Sequence, residues 1–466
     1  MSNKTIKYVI ERPTSLKRYV FDFIFFILGI KGEIYNDNLN QKIDIYYGNN
    51  PSATEIISII IRENSQAVIC SEILEGKLKS EYIAKIVDFD IINAISKLIT
   101  DQVNSNLSDN AYDEHDRLLF EYSFQSNFHI ADIPLVNLYV NFLLELIENR
   151  CQLVRVPLWP DGKICAIGLS HDVDKPDKYS ILKVPFFLKS KPVKSHIYYA
   201  LRKIKNGVKY ILDKERDNFW LFNNIMELEE KYDFKSTFFF ASMNAFGEYD
   251  STPEDVEYNI EDRKFREVFI EILKREFEIG LHASYFAYKS EERFKYEKQK
   301  LEEITRTRIT GLRHHCWHLG RDQQRTFKFH ESAGFEYDSS IAFNERMGFR
   351  NNIALPYYLW NEEYSRKLNV MELPVFCMDG NLFYQSIEVD KAIVKLKQFV
   401  ATIKQSGGIG VVDWHVRTSY PLNSEFLNWG KCYVRFVEYL SNDATIWVTS
   451  LGNINDWLRN RRRQEE

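Results

Sequence analysis

Two aspartates two residues apart, Asp172 and Asp174, follow the short apolar run Lys163-Ile-Cys-Ala-Ile-Gly-Leu-Ser170 in the segment His171-Asp-Val-Asp174. In extended backbone, residues i and i+2 point the same way, so both carboxylates lie on one side. Two like charges held that close repel unless a cation or a shared proton lies between them. A loop that merely ends a strand gives the same pattern, so the pair gains meaning only from the rest of the chain. Further along stand His282 in Gly280-Leu-His-Ala-Ser-Tyr285, three imidazoles in Arg313-His-His-Cys-Trp-His318, and His415 after Trp414. A hydrolytic metal site needs a few Asp or His ligands, an open position for water, a base and an acid. A lone histidine after a strand is more often hydrogen-bonded structure than a ligand. In an extended segment His315 shares the side of Arg313; Trp414 would wall a site and His415 would supply a proton. Cys165 and Cys316 lack the paired spacing of thiolate ligands.

Such residues need a scaffold that brings distant stretches to one place. Pro160-Asp-Gly162 and Pro176 bound the first apolar run, and its β-branched bias makes it a buried strand. From residue 218 on, the chain alternates regularly. Strands are predicted at 235–240, 278–281, 310–313, 336–341, 369–376, 408–412 and 444–449, with amphipathic helices between them and a last short helix to Leu458. Alternation of this kind means βα units and a parallel sheet, and about eight units over roughly 300 residues is the size of a (β/α) barrel. Asp172, Asp174, His282, Arg313, His315, Asp338 and His415 then all fall at strand C-terminal ends, where barrels carry chemistry.

Residues 1–158 form a smaller α/β unit of unassigned role, and 159–458 form the barrel. In the first unit, Lys42-Ile-Asp-Ile-Tyr-Tyr47 alternates like a half-buried strand. Residues 53–62 have helical apolar spacing, 83–99 mix both signals, and 135–147 are a helix. The polar stretch Tyr112-Asp-Glu-His-Asp-Arg-Leu118 resembles a metal cluster but reads better as a capped turn before a helix. Residues 178–214 are a lysine-rich, aromatic insertion that suits weak contact with an anionic membrane surface, although a solvated excursion packed over the barrel mouth is the favoured reading. Residues 459–466 form a charged tail.

With 466 residues the chain exceeds one ordinary core; 45% hydrophobic and 27% charged residues make it globular rather than disordered. The net charge of −5, with no dense basic block, argues against a nucleic-acid protein. The six cysteines are scattered, which suits free thiols in a reducing compartment. No signal-peptide pattern opens the chain, and the first apolar run, Phe21 to Ile30, carries Asp22 and is about half a bilayer span. A cytoplasmic protein with that run as a buried helix is expected. The 15% aromatic content is core first, with a surplus that suits stacking on sugar faces.

Taken in order, these segments resemble the NodB-homology polysaccharide deacetylases, carbohydrate esterase family 4. More closely they resemble a bacterial branch with a His-Asp-Val-Asp motif and an N-terminal extension. The resemblance runs from Cys165 to Leu451 and rests on His171-Asp-Val-Asp174, Phe234-Lys-Ser-Thr-Phe-Phe-Phe240, Glu278-Ile-Gly-Leu-His282, Tyr337-Asp-Ser-Ser340 and Val412-Asp-Trp-His415. It implies a distorted (β/α) barrel of seven or eight strands and a divalent metal, with zinc the first choice. Asp172 would match the family's base, Asp174 and His282 two of its metal ligands, Arg313 the arginine that orients the base, and His415 the general acid. The family's second histidine lies four residues after the first, where this chain has Phe286. His315, or else His314, could complete the metal site from the next strand.

The reaction so implied removes an acetyl group from an N-acetylated (or O-acetylated) sugar in surface-polysaccharide biosynthesis. A cytoplasmic address suggests a nucleotide-linked or lipid-linked precursor. The alternative is a catalytically degenerate barrel that binds glycan or scaffolds a polysaccharide-assembly complex. Phe286 favours that alternative; Asp172, Asp174, Arg313 and His415 favour the enzyme. Metal identity, the particular sugar and oligomeric state are left open by these residues.

Overall fold

A computed structural model describes residues 5–35, 42–51, 54–63, 67–77, 85–151, 156–178, 205, 207–209, 211–215, 217–245, 251–383 and 387–465. Its first sheet contains β1 (Ile6–Ile10), β2 (Gly32–Ile34), β3 (Ile43–Tyr47), β4 (Ile57–Ile61) and β5 (Ile86–Val87), all parallel, in the order β2-β1-β3-β4-β5. Of the stretch 53–62, expected as helix, the described residues form a short 3-10 turn at Thr54–Ile56 and then the strand β4. Ile57-Ser-Ile-Ile-Ile61 is apolar toward both faces, and such a run looks the same in a buried strand as in a buried helix. The mixed stretch 83–99 divides into β5 and the helix Ile91–Ile99.

The first apolar run is the helix Ser15–Leu28. The Thr14 side chain accepts the Lys17 N–H at its start, and Gly29 ends it in the left-handed region at φ 63°. Its rings pack in a core shared with the helices Ile91–Ile99 and Leu135–Cys151, and with strands of the second sheet. Asp22, the charge inside the run, pairs with Lys367 and Arg462. Among the described residues no helix is long and apolar enough to cross a membrane.

The second sheet contains β6 (Cys165–Val173), β7 (Thr237–Phe240), β8 (Glu278–Ala283), β9 (Gly311–His314), β10 (Tyr337–Asp338), β11 (Tyr357–Asn361), β12 (Arg366–Glu372), β13 (Val375–Met378), β14 (Ile409–Asp413) and β15 (Ile446–Thr449). Its order is β11-β12-β10-β9-β8-β7-β6-β14-β13, parallel except for the β11–β12 pair, in a curled, barrel-like α/β arrangement. The long strand β6 serves two neighbours along one edge: β15 pairs with Cys165–Gly168 and β7 with Ser170–Val173. Among the described residues the sheet holds ten strands, against the seven or eight expected. Pro374 divides the expected strand at 369–376 into β12 and β13, and β11 is an added antiparallel edge.

Residues 459–465 are not a loose tail. They continue the helix Leu451–Glu465 because their guanidinium groups find partners. Arg459 donates to the carbonyls of Glu336 and Asn369. Arg461, 4% exposed, reaches the carbonyls of Phe26, Val156 and Pro157 and so ties the end of the chain to its beginning. The insertion 178–214 falls, for all but a few residues, outside the described residues.

Candidate metal centre

Strand order sets which side chains can meet. β8 and β9 are adjacent, with His282 in register with Arg313 and Ala283 with His314. His315 is the first residue past β9, and Asp174 the first past β6. His282 Nε2 lies 3.1 Å from Asp174 Oδ1, and His315 Nδ1 lies 3.4 Å from the same oxygen. The two ring nitrogens are 2.8 Å apart. These three ligating atoms lie within 4.8 Å of one another, and they are the one such group among the described residues.

The other nitrogen of each ring decides what the cluster can hold. His282 Nδ1 faces the Arg313 carbonyl at 3.2 Å, and His315 Nε2 faces the Glu254 carbonyl at 2.7 Å. A carbonyl oxygen only accepts, so each of these nitrogens carries its proton. With both rings neutral, His282 Nε2 and His315 Nδ1 are lone pairs aimed at each other and at Asp174 Oδ1, a buried oxygen that then has no hydrogen-bond donor. Three electron-rich atoms facing inward require a cation, either a proton or a metal. Ligands about 2.1 Å from a tetrahedral zinc ion lie about 3.4 Å apart. The observed 2.8, 3.4 and 3.1 Å need only small adjustments to meet that geometry. The donor set, two imidazoles and a carboxylate, fits a zinc-like divalent ion. Asp174 keeps 21% of its side chain exposed against 1% for His282, so the cluster opens to solvent on the aspartate side.

Asp172 points toward the same opening from inside β6. Arg313, fully buried, donates from Nη1 to Asp172 Oδ1 at 2.9 Å and to Ser170 Oγ at 2.9 Å. Its Nε and Nη2 are fixed by the Ser339 carbonyl at 2.8 Å and the Ser339 hydroxyl at 3.2 Å. Arg313 is thus anchored on two sides and aims one donor at Asp172. Asp172 Oδ2 is 3.9 Å from His282 Nε2, beside the cluster but not one of its three grouped ligands. On the opposite side His415 Nε2 lies 2.8 Å from Asp174 Oδ2 and Nδ1 lies 2.8 Å from Asp379 Oδ1. Burial works against the charge of His415, but Asp379, seconded by Asp174, outweighs it and raises its pKa well above the usual imidazole range. Burial likewise opposes the charge on Asp174, yet His415 and His315 hold its pKa well below the ordinary carboxylate value.

Several of these partners were not singled out in the sequence. Asp379 accepts from His415 N at 3.0 Å and from the Thr418 hydroxyl, and so locks the imidazole in place. The Asp-Gly pair after β13 reads as an ordinary turn, which hides its role. Asp413, two residues before His415, lies 3.2 Å from Arg313 Nη1 but outside hydrogen-bond geometry. Burial and then the neighbouring Asp172 carboxylate push its pKa well above the usual range. The alternation that flags Asp172 and Asp174 would also have flagged Asp413. Arg417 Nη1, 3.6 Å from Asp174 Oδ2, adds positive charge at the mouth.

Other residues named from the sequence lie elsewhere. His314 turns to the far side of β9 and meets His330, so it is not the completing ligand. Trp414 does not wall the site. Strand alternation turns it opposite His415, into the core against Phe383 and Tyr433. Asp338 bonds Ser340 at 2.7 Å and pairs with Glu372; burial raises its pKa to about 6, and none of the cluster residues is its partner. Phe286 is half-buried at the rim beside Tyr285, Tyr288 and Lys289.

No family model and no curated protein matches the chain. Among solved structures it is similar to one described as a candidate polysaccharide deacetylase from Mycobacterium smegmatis, at 17% identity and a TM-score of 0.43, covering 65% of this chain and 93% of that one. It is also similar to a probable polysaccharide deacetylase from Pseudomonas aeruginosa PAO1 (15% identity, TM-score 0.41, 65% of this chain and 94% of that one). A Puue allantoinase matches at 17% identity and TM-score 0.42, over 65% of this chain and 93% of its own. At such identities the chemistry has to be read from this chain's own residues.

Proposed function

We propose that the chain is a metal-dependent hydrolase that removes an acetyl group from an N-acetylated (or O-acetylated) sugar, on a nucleotide- or lipid-linked precursor of a surface polysaccharide. One observation carries this: two imidazole lone pairs and a carboxylate oxygen converge on one point, with the Asp172–Arg313 pair on one side and His415 on the other. Asp174, His282 and His315 would hold the divalent ion, with zinc the first choice for two imidazoles and a carboxylate. When bound, the ion would acidify water and polarise the acetyl carbonyl.

The protein's own groups do the rest. Asp172, oriented by Arg313, takes the proton from the attacking water. Arg313 cannot take that proton in its place, because guanidinium stays charged. His415, held protonated between Asp379 and Asp174, faces the solvent-open side and donates a proton to the departing amine or alcohol. Asp379 fixes the ring so that only Nε2 is presented. His315 fills the ligand role left open by Phe286, which removes the main argument for a degenerate barrel.

Elemental analysis of the purified full-length protein tests the reading. About one divalent ion per chain is expected in the wild type and a large loss in His315→Ala. A wild-type protein that stays metal-free after incubation with zinc would leave the glycan-binding barrel as the better account.

A further inference from the structure

The stretch 112–118 plays no part in the reaction above, yet it touches the segment that carries His315. It is a tight loop closed by a Tyr112–Leu118 bridge. Asp113 Oδ1 accepts the N–H groups of His115 and Arg117 at 2.9 and 3.0 Å. Its Oδ2 faces both Arg117 Nε and Nη2 at 2.8 and 2.7 Å, so two guanidinium nitrogens converge on one carboxylate oxygen. The remaining nitrogen, Nη1, reaches across to the second sheet. It donates to the Cys316 carbonyl at 3.1 Å and to Asn344 Oδ1 at 3.0 Å.

Cys316 follows His315 directly and has φ 56°; Trp317 after it has φ 51°. Left-handed backbone costs a non-glycine residue about 1–2 kcal/mol, so two in succession persist only where the surroundings over-determine them. This turn sets the direction in which the chain leaves β9, and hence where the His315 ring stands. We propose that Arg117 is a positioning residue for the metal centre: by gripping the Cys316 carbonyl it holds the left-handed turn that aims His315 at Asp174 and His282. The N-terminal region thereby contributes to metal affinity without supplying a ligand. This rests on the metal-centre reading above.

The test measures cobalt(II) affinity by chelator competition, and the visible spectrum of the bound ion, on the full chain. Partners one step removed from metal ligands typically change metal affinity about 10–100-fold. Arg117→Ala is expected to weaken cobalt(II) binding by that order and to alter the spectrum. Arg117→Lys, which keeps one donor but loses the fork on Asp113, should fall between Arg117→Ala and the wild type. Arg321→Ala, which removes a different contact to the same loop at Asp116, should bind as the wild type does. If Arg117→Ala does not fold, the weaker binding of Arg117→Lys decides. Wild-type affinity and spectrum in a folded Arg117→Ala or Arg117→Lys would overturn the inference. Failure of the wild type itself to bind cobalt(II) or zinc would instead overturn the proposed function, and this inference with it.

Discussion

His314 and His315 are neighbours in the chain and end in opposite situations. Each forms an imidazole pair with nitrogens 2.8 Å apart, His314 with His330 and His315 with His282. In the first pair His314 Nδ1 donates to the His318 carbonyl at 3.1 Å, so its Nε2 is a lone pair that His330 Nε2–H can fill. That contact is satisfied with two neutral rings and no added cation, although His330 Nδ1 is itself buried without a partner. Phe294, Phe327 and Phe335 surround it, and among the described residues no carboxylate pairs with it. Burial lowers the pKa of both rings, His330 to about 3. In the second pair both outer nitrogens are spent on carbonyls, so the two inner ones cannot satisfy each other without an added cation. A carboxylate stands ready for it. Equal distances thus hide a difference in proton bookkeeping, and that difference separates a structural pair from a ligand pair.

The largest expected effect lies beside the second pair. Asp172→Asn keeps the shape and the acceptor for Arg313 but removes the base, and loss of a general base costs about 10²–10⁴ in rate. Turnover of an acetylated sugar should fall by that order while metal content stays at the wild-type level, because Asp172 is not one of the three grouped ligands. Wild-type turnover in Asp172→Asn would show that the base has been misassigned.

A smaller effect is expected at the structural pair. His330→Leu takes the donor from His314 Nε2 and leaves a buried acceptor unpaired, at a cost of about 1–3 kcal/mol. Urea unfolding should show the loss, with metal content and turnover of the folded protein unchanged. Loss of metal in a folded His330→Leu would mean that the two pairs are coupled, and would break the distinction between them.

How much of this could be read in the sequence follows from where each residue sits. Asp172, Asp174, His282, Arg313, His315 and His415 stand at predicted strand ends, and a parallel sheet places such ends on one side; the structure groups them there. Alternation puts His315 on the side of Arg313, but where its ring comes to rest also involves the left-handed turn at Cys316 and Trp317, for which the sequence offers no glycine as a signal. Asp379 opens a short helix and the Glu254 carbonyl belongs to a turn, both far away in the chain, and a carbonyl leaves no mark in a residue type. Similarly, strand periodicity located the larger sheet, but β4 lies buried on both faces and lost the alternation that distinguishes a strand from a helix.

The smallest effect is a difference in pH response. Burial depresses the folded-state pKa of His330 to about 3, against about 6.5 for an unfolded histidine. Between these values the unfolded chain binds a proton that the folded ring refuses, so stability falls as pH drops below about 6.5 and is insensitive to this group above it. At pH of about 6 the folded ring is still neutral, and its share of the loss is about 0.8 kcal/mol. Wild type should therefore lose more stability than His330→Leu when urea unfolding is moved from pH of about 7.5 to about 6. His314, depressed in the same direction by burial and by His330, stays in both proteins and does not reverse the sign. Equal losses in the two proteins would mean that the His330 ring takes up a proton inside the fold, and the structural pair would then need a counter-charge of its own.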